Sequence, residues 1–372
     1  MRHRPALVIL LIAFVALAGG QSASARKGSS KGAVFVQTNE LTGNRIVVYD
    51  RGEDGTLTPA GSYATGGLGG GALPGTESDR LASQGSLVYD RHHKLLIAVN
   101  AGSNTVSTFR VDGDTLSLVN VVPSGGQFPA SIAVHRELVY VLNAGGTGTV
   151  QGFRIEDSGL APIAGSARTL GLANTTPPFF LTSPGQVGFA PNGRQLLVTT
   201  KASTSSIDVF QVMHDGLLSP TFVANPSATP VPFAFTFAHG RLVSGEAGVS
   251  SVTTYRLAHD GTLTEPKSQS DGQAALCWIQ RVGRFFYVSN TASNTLSSFT
   301  IEGGQPTLLA PVAATTELGP IDLTSPKGTR FLYAETGVLG TVDEFAVNAD
   351  GTLTRIGTVT GLPPGIEGIA ST

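Results

Sequence analysis

One cysteine, Cys277, in a chain of 372 residues leaves no internal disulfide to hold the fold. Charge is also scarce: Asp, Glu, Lys and Arg make up 13% of the chain and nearly cancel, for a net charge of −2. There is therefore no basic stripe for nucleic acid and no acidic tail. No segment sustains a helical period, which predicts almost no helix. The apolar run Ala6–Ala18 is too short to span a bilayer comfortably; it follows Arg2, His3 and Arg4 and matches the core of an export signal. Small-x-small cleavage positions follow at Ala16-Leu17-Ala18 and Ala23-Ser24-Ala25, with no cysteine nearby for a lipid anchor. Residues 1–25 are read as a signal peptide and 26–32 as a polar lead-in, so the mature protein is expected to be secreted or periplasmic, with no membrane span. Nucleophile elbow, phosphate loop, zinc-helix motif and Ser/His/Asp grouping are all missing, and no metal or cofactor is expected.

What the chain does have is a repeat. Arg284–Ile301 reads as two alternating strands, FFYVSN and TLSSFTI, joined by a polar turn, and is one of seven such units. Each first strand ends in a small or polar residue, with an aromatic nine or ten positions on. The pairs are Asn39/Tyr49, Asn100/Phe109, Asn143/Phe153, Thr200/Phe210, Gly245/Tyr255, Asn290/Phe299 and Glu335/Phe345. Turns such as Asp54-Gly55, Asp215-Gly216, Asp260-Gly261 and Asp350-Gly351 follow, then a further strand. Four strands per unit at a period of roughly 45 predicts an all-β, seven-bladed β-propeller with antiparallel blades over residues 33–372, since each small sheet buries its faces only against its neighbours. The first unit lacks an innermost strand, and Gly365–Ser371 is expected to supply it and close the ring. Leu160–Ile163 and a stretch near Leu218 are read as the outer strands of blades 3 and 4.

Propeller topology sorts the loops. With strands a to d running inside to outside, the b–c turns and d–a connections share one face, and the a–b and c–d hairpins share the other. Both long connections, Thr65–Gln84 and Ser166–Pro184, fall on the first face, where function tends to sit. The histidines His92, His93, His135, His214, His239 and His259 fall on the second, scattered over several blades, and read as turn residues. The first face collects Asn39, Glu40, Asn100, Asn143, Lys201, Glu246, Asn290 and Glu335 from b-strand ends, with Gln84, Gln186 and Glu367 from a-strand starts. These are expected to converge on a shallow polar funnel. The candidate ligand-binding residues are Gln84, Asn100, Asn143, Gln186, Trp278, Asn290 and Glu335, although asparagines also simply terminate strands and satisfy turn backbone. Lys201 and Glu246 break the small-residue pattern and are the candidate catalytic pair. On the inner strand of blade 6, one of Cys277 and Trp278 should face the channel and the other the core between blades.

At YVSNTASNTLSSF and LIAVNAGSNTVSTF the chain resembles the seven-bladed lactonase family, which includes bacterial 6-phosphogluconolactonase and fungal 3-carboxy-muconate cyclase and overlaps propellers with YVTN-type repeats. The resemblance covers about Ala33 to Thr372, and DGQAALCW and GPIDLTS are similar to secreted bacterial members. It implies a site of histidines at a-strand starts, an arginine after a proline in blade 5, and a glutamate closing that blade's b-strand. Here those positions read Gln84-Gly85-Ser86, Pro184-Gly185-Gln186 and Pro232-Phe233-Ala234, and only Glu246 matches. Two functions follow as expectations. One is a monomeric propeller binding a small molecule, glycan or protein at the funnel without family-type lactonase chemistry. The other is a lactone hydrolase or cycloisomerase using Glu246 as base and Lys201 as its electrostatic partner.

Overall fold

The computed structural model describes residues 32–71 and 79–372. The export signal and most of the lead-in lie outside the described residues. Seven sheets are present, each built from four layers of antiparallel strand, and the described residues contain no helix. Blade 6 is representative: Leu276–Val282 inside, then Phe285–Asn290, Thr295–Glu302 and Gln305–Thr315 outside. Ring closure is as expected. Ile369–Ser371 pairs with Ala33–Gln37, with Phe35 opposite Ala370 and Val36 opposite Ile369, and becomes the innermost strand of blade 1.

Alternation along the b-strands builds the core. Successive side chains of a strand point to opposite sheet faces, so each b-strand feeds two interfaces between blades. Val139 and Val141 of blade 3 pack toward blade 2 with Ile97, Val99 and Phe153, whereas Tyr140 and Leu142 pack toward blade 4 with Leu196, Val198 and Phe210. Seven apolar clusters result, one at each interface. Tyrosine hydroxyls latch neighbouring blades: Tyr140 donates to Gly216 O (2.8 Å), Tyr287 to Gly351 O (2.9 Å) and Tyr333 to Gly55 O (2.7 Å). Each acceptor is the glycine of the next blade's c–d turn. In the c–d turns of blades 1, 5 and 7, Asp54, Asp260 and Asp350 accept from the backbone and hydroxyl of Thr56, Thr262 and Thr352, which holds the carboxyls below their usual range.

Two outer strands differ from expectation. In blade 4 the outer strand is Val223–Pro226, and Leu218 forms only an isolated bridge to Val212, because Pro220 interrupts ladder pairing between them. In blade 3 the outer strand is split into Gly159–Pro162 and Arg168–Thr169, both paired with Thr149–Glu156, so the first residues of the expected long connection belong to the sheet.

Candidate functional site

The b–c turns and d–a connections do share a face, joined by backbone hydrogen bonds. Gly102 N donates to Leu68 O, Gly145 N to Gln127 O, Ala247 N to Val231 O, Thr291 N to Ala275 O and Gly337 N to Gly319 O. The glycine-rich connection after blade 1 is stitched down in the same way, and a Cβ on Gly69 would lie 2.0 Å from the carbonyl carbon of Asn39. The connection then turns into the ring. Asp79–Gln84 crosses the axis: Ser83 Oγ donates to Ala130 O of blade 3, and Gln84 N donates to Gly185 O at blade 4. The expected open funnel is therefore filled by the protein's own chain.

The candidate polar residues are occupied by contacts within the protein, some of them made by this plug. Gln84 spans to blade 6, donating from Nε2 to Ile279 O (3.2 Å) and accepting from Ile279 N (3.0 Å). Gln186 pairs in the same manner with Phe235 of blade 5. Inner strands are sheet edges facing the axis, and these amides satisfy backbone groups that would otherwise be unpaired. Asn100 donates to Thr105 and Ser107 and accepts from Asn44; Asn290 donates to Thr295 and Ser297; Asn143 donates to Ser124 O. All three asparagines are fully buried and terminate strands. Glu335 accepts from Gly368 N (2.9 Å), and burial together with nearby Asp322 pushes its carboxyl well above the usual range. Asp322, also buried, is pushed up to about 7.

Glu246 and Lys201 have separate partners. The Glu246 carboxylate accepts from Thr229 N (3.0 Å), Thr253 Oγ1 (2.8 Å), Thr229 Oγ1 and Tyr255 Oη. Burial raises its pKa although these hydrogen bonds oppose the rise. No hydrogen bond or ion pair joins it to Lys201 among the described residues.

Lys201 instead lines a cavity of about 200 Å³ beside the plug, between blades 4, 5 and 6. Phe180, Leu181, Val231, Phe233, Ala275, Cys277, Trp278 and Thr291 form most of the wall, and Asp79 of the plug faces it. Lys201 is 1% exposed. Its Nζ donates to Ala82 O (2.6 Å) and lies 4.8 Å from the centre of the Phe233 ring. Burial lowers its pKa to about 8, against the opposing pull of Asp79, Cys277 and Glu367. Glu367 hydrogen-bonds Asp79 and accepts from Leu81 N (2.6 Å) and Ser83 N (3.0 Å); burial first, then Asp79, raises its pKa well above the ordinary value.

Cys277 and Trp278 both reach this cavity, contrary to the alternation expected of a regular strand. The register shifts between Leu276 and Ile279, and a bulge turns both side chains to one side. Trp278 Nε1 donates to Ser83 O (2.9 Å), and its ring meets Phe233 at 4.7 Å. Burial pushes the Cys277 thiol up to about 12. Asp79 carried no signal in the sequence, since it sits in a connection without periodicity. Val231 carried none either, and Phe233 stood out only within Pro232-Phe233-Ala234, where the resemblance implied an arginine. The described residues hold no group of three or more His, Cys, Asp or Glu able to bind a metal.

A family model described as Lactonase, 7-bladed beta-propeller matches residues 71–366. Similar solved structures include a candidate 6-phosphogluconolactonase from Bacteroides fragilis (19% identity, TM-score 0.71, covering 92% of this chain and 98% of the other). The periplasmic gluconolactonase PpgL of Pseudomonas aeruginosa is similar at 17% identity and TM-score 0.71, covering 90% and 98%. A Lactobacillus plantarum protein matches at 18% and 0.70, covering 92% and 99%. At these identities the likeness speaks for the fold. No curated protein sequence matches the chain.

Proposed function

From a chain that belongs to the seven-bladed β-propeller lactonase family, we propose a small-molecule hydrolase that opens an unphosphorylated, largely apolar lactone in the Lys201 cavity. One observation carries this reading: a buried lysine with no ion pair among the described residues shares an otherwise apolar cavity with the Asp79 carboxyl. In hydrolysis, Asp79 takes a proton from water as the water oxygen attacks the lactone carbonyl carbon. The carbonyl π pair moves to oxygen, and the Lys201 ammonium stabilises the oxyanion. Collapse breaks the ring C–O bond, Asp79 returns the proton to the leaving oxygen, and a hydroxy acid results. Glu367 positions Asp79 through their shared hydrogen bond. Glu246 stands outside this scheme, because its four hydrogen bonds already occupy it.

The apolar wall argues against a phosphorylated or densely hydroxylated sugar lactone, for which Lys201 is the one cation in the lining among the described residues. A panel of alkyl γ- and δ-lactones beside glucono-δ-lactone tests this. Lys201→Met and Asp79→Asn should each lower kcat/KM about 10²–10³-fold, the effect of removing one oxyanion partner or base. Folded Glu246→Gln should keep its turnover. Turnover lost in Glu246→Gln but retained in Lys201→Met would overturn the assignment.

A second reading has its own support. Leu41, Leu68, Leu181, Val249, Leu318 and Leu339 are all exposed on this face. Such an apolar rim suits a binding propeller that holds a partner without chemistry. Absence of turnover across the panel, with tight binding of an apolar ligand, would favour it. Export to the periplasm or beyond is supported by the N-terminal pattern and by the periplasmic relative; N-terminal sequencing of the mature protein tests it.

A further inference from the structure

We infer that Lys201 is a carbonyl-capturing amine, and that the cavity between blades 4, 5 and 6 accepts a small aromatic aldehyde or ketone that condenses with Lys201 to an iminium. The inference rests on the cavity, not on lactone hydrolysis. Phe180, Phe233 and Trp278 supply ring faces suited to an aromatic guest. Lys201 lines the cavity with one hydrogen-bond acceptor for Nζ, Ala82 O, and no ion pair among the described residues, and Nζ lies 4.8 Å from the centre of the Phe233 ring. Enclosure in apolar surroundings favours the neutral, nucleophilic amine. The titratable groups facing it are Asp79, Glu367 and Cys277.

The chemistry balances without a further reagent. Asp79 takes one proton from the ammonium. The amine pair forms the C–N bond while the carbonyl π pair moves to oxygen, and a nitrogen proton passes to that oxygen. The C–O bond then breaks as Asp79 returns its proton, releasing water and leaving the iminium. Asp79 serves as proton carrier in both directions.

The test uses wild-type protein at pH 7.5 with benzaldehyde and sodium cyanoborohydride, which delivers hydride to an iminium and fixes it as an N-benzyl lysine. Peptide mapping then reports the rate at each lysine. Lys201 should label at least about tenfold faster than exposed Lys94 and Lys327, whose amines have the ordinary solvent setting. Glyceraldehyde, small but polar, should show no such preference. Benzaldehyde labelling of Lys201 no faster than Lys94 would overturn the inference. Because the readout is a site-resolved rate in unmutated protein, it stands whether or not any variant folds. It is equally independent of any lactone being turned over.

Discussion

At the scale of single residues, Lys201 combines two unfavourable features: a buried ammonium and a left-handed backbone, with φ of 48°. Asn39 occupies the corresponding turn position of blade 1 at φ 52°, and asparagine tolerates that conformation where lysine does not. Lys201→Asn should therefore stabilise the protein by about 1–2 kcal/mol while abolishing turnover, a stability gain at the expense of function. Thermal unfolding checks it, and a lower Tm in the variant would show that Lys201 is structural. Glu246 predicts the reverse. Glu246→Gln places an NH₂ against groups that now donate to a carboxylate, and should cost about 1–3 kcal/mol without removing activity from the folded fraction.

At the scale of elements, the blade is held by devices that recur around the ring. The tyrosine latch is one, and Tyr333 is the instance that ties blade 7 to blade 1 across the closing seam. Tyr333→Phe keeps the buried ring and loses one hydrogen bond, so chemical denaturation should show a loss of about 1 kcal/mol. An unchanged midpoint would mean that the seam depends on Ile369–Ser371 pairing and the apolar interface alone. The bulged inner strand is another device. In blades 3, 5, 6 and 7 the strand opens after a left-handed residue, Phe128, Val231, Ala275 and Gly319 respectively, and its register then shifts. Alternation alone predicts one inward side chain where the bulge delivers two. For that reason Cys277 and Trp278 came out on the same wall.

For the whole molecule, the buried acids dominate the response to pH. Asp322 and Glu344 are raised to about 7 and Asp208 to about 6, each chiefly by burial. Each keeps its proton in the folded state at pH values where the unfolded chain has lost it. The stability they contribute is complete below about pH 4 and is lost as pH rises through 6 to 7. Lys201 acts oppositely: its penalty is constant below about 8 and is relieved as pH climbs toward the ordinary lysine value. The Tm should consequently pass through a minimum near pH 7–8 and be higher at pH 5. The turn aspartates Asp54, Asp260 and Asp350 act only below about pH 4 and leave that window unaffected. A Tm that rises steadily from pH 5 to 7.5 would contradict the buried-acid account.

The sequence by itself determined the ring: the number of blades, their inner strands, the closure by the C-terminal segment and the division of loops between two faces. These follow from period-two alternation and turn chemistry, which are local and repeat seven times. Lys201 and Glu246 were visible because they break that repeat. Only the tertiary structure decided what surrounds them. Whether Asp79–Gln84 would loop outward or cross the axis depends on contacts with blades 3, 4 and 6, more than a hundred residues away in the case of Lys201 and Trp278. That crossing converts a polar funnel into a plug and gives Lys201, Trp278 and Glu367 their partners on the axis. Repetition is written along the chain; convergence on the axis arises only when distant blades meet.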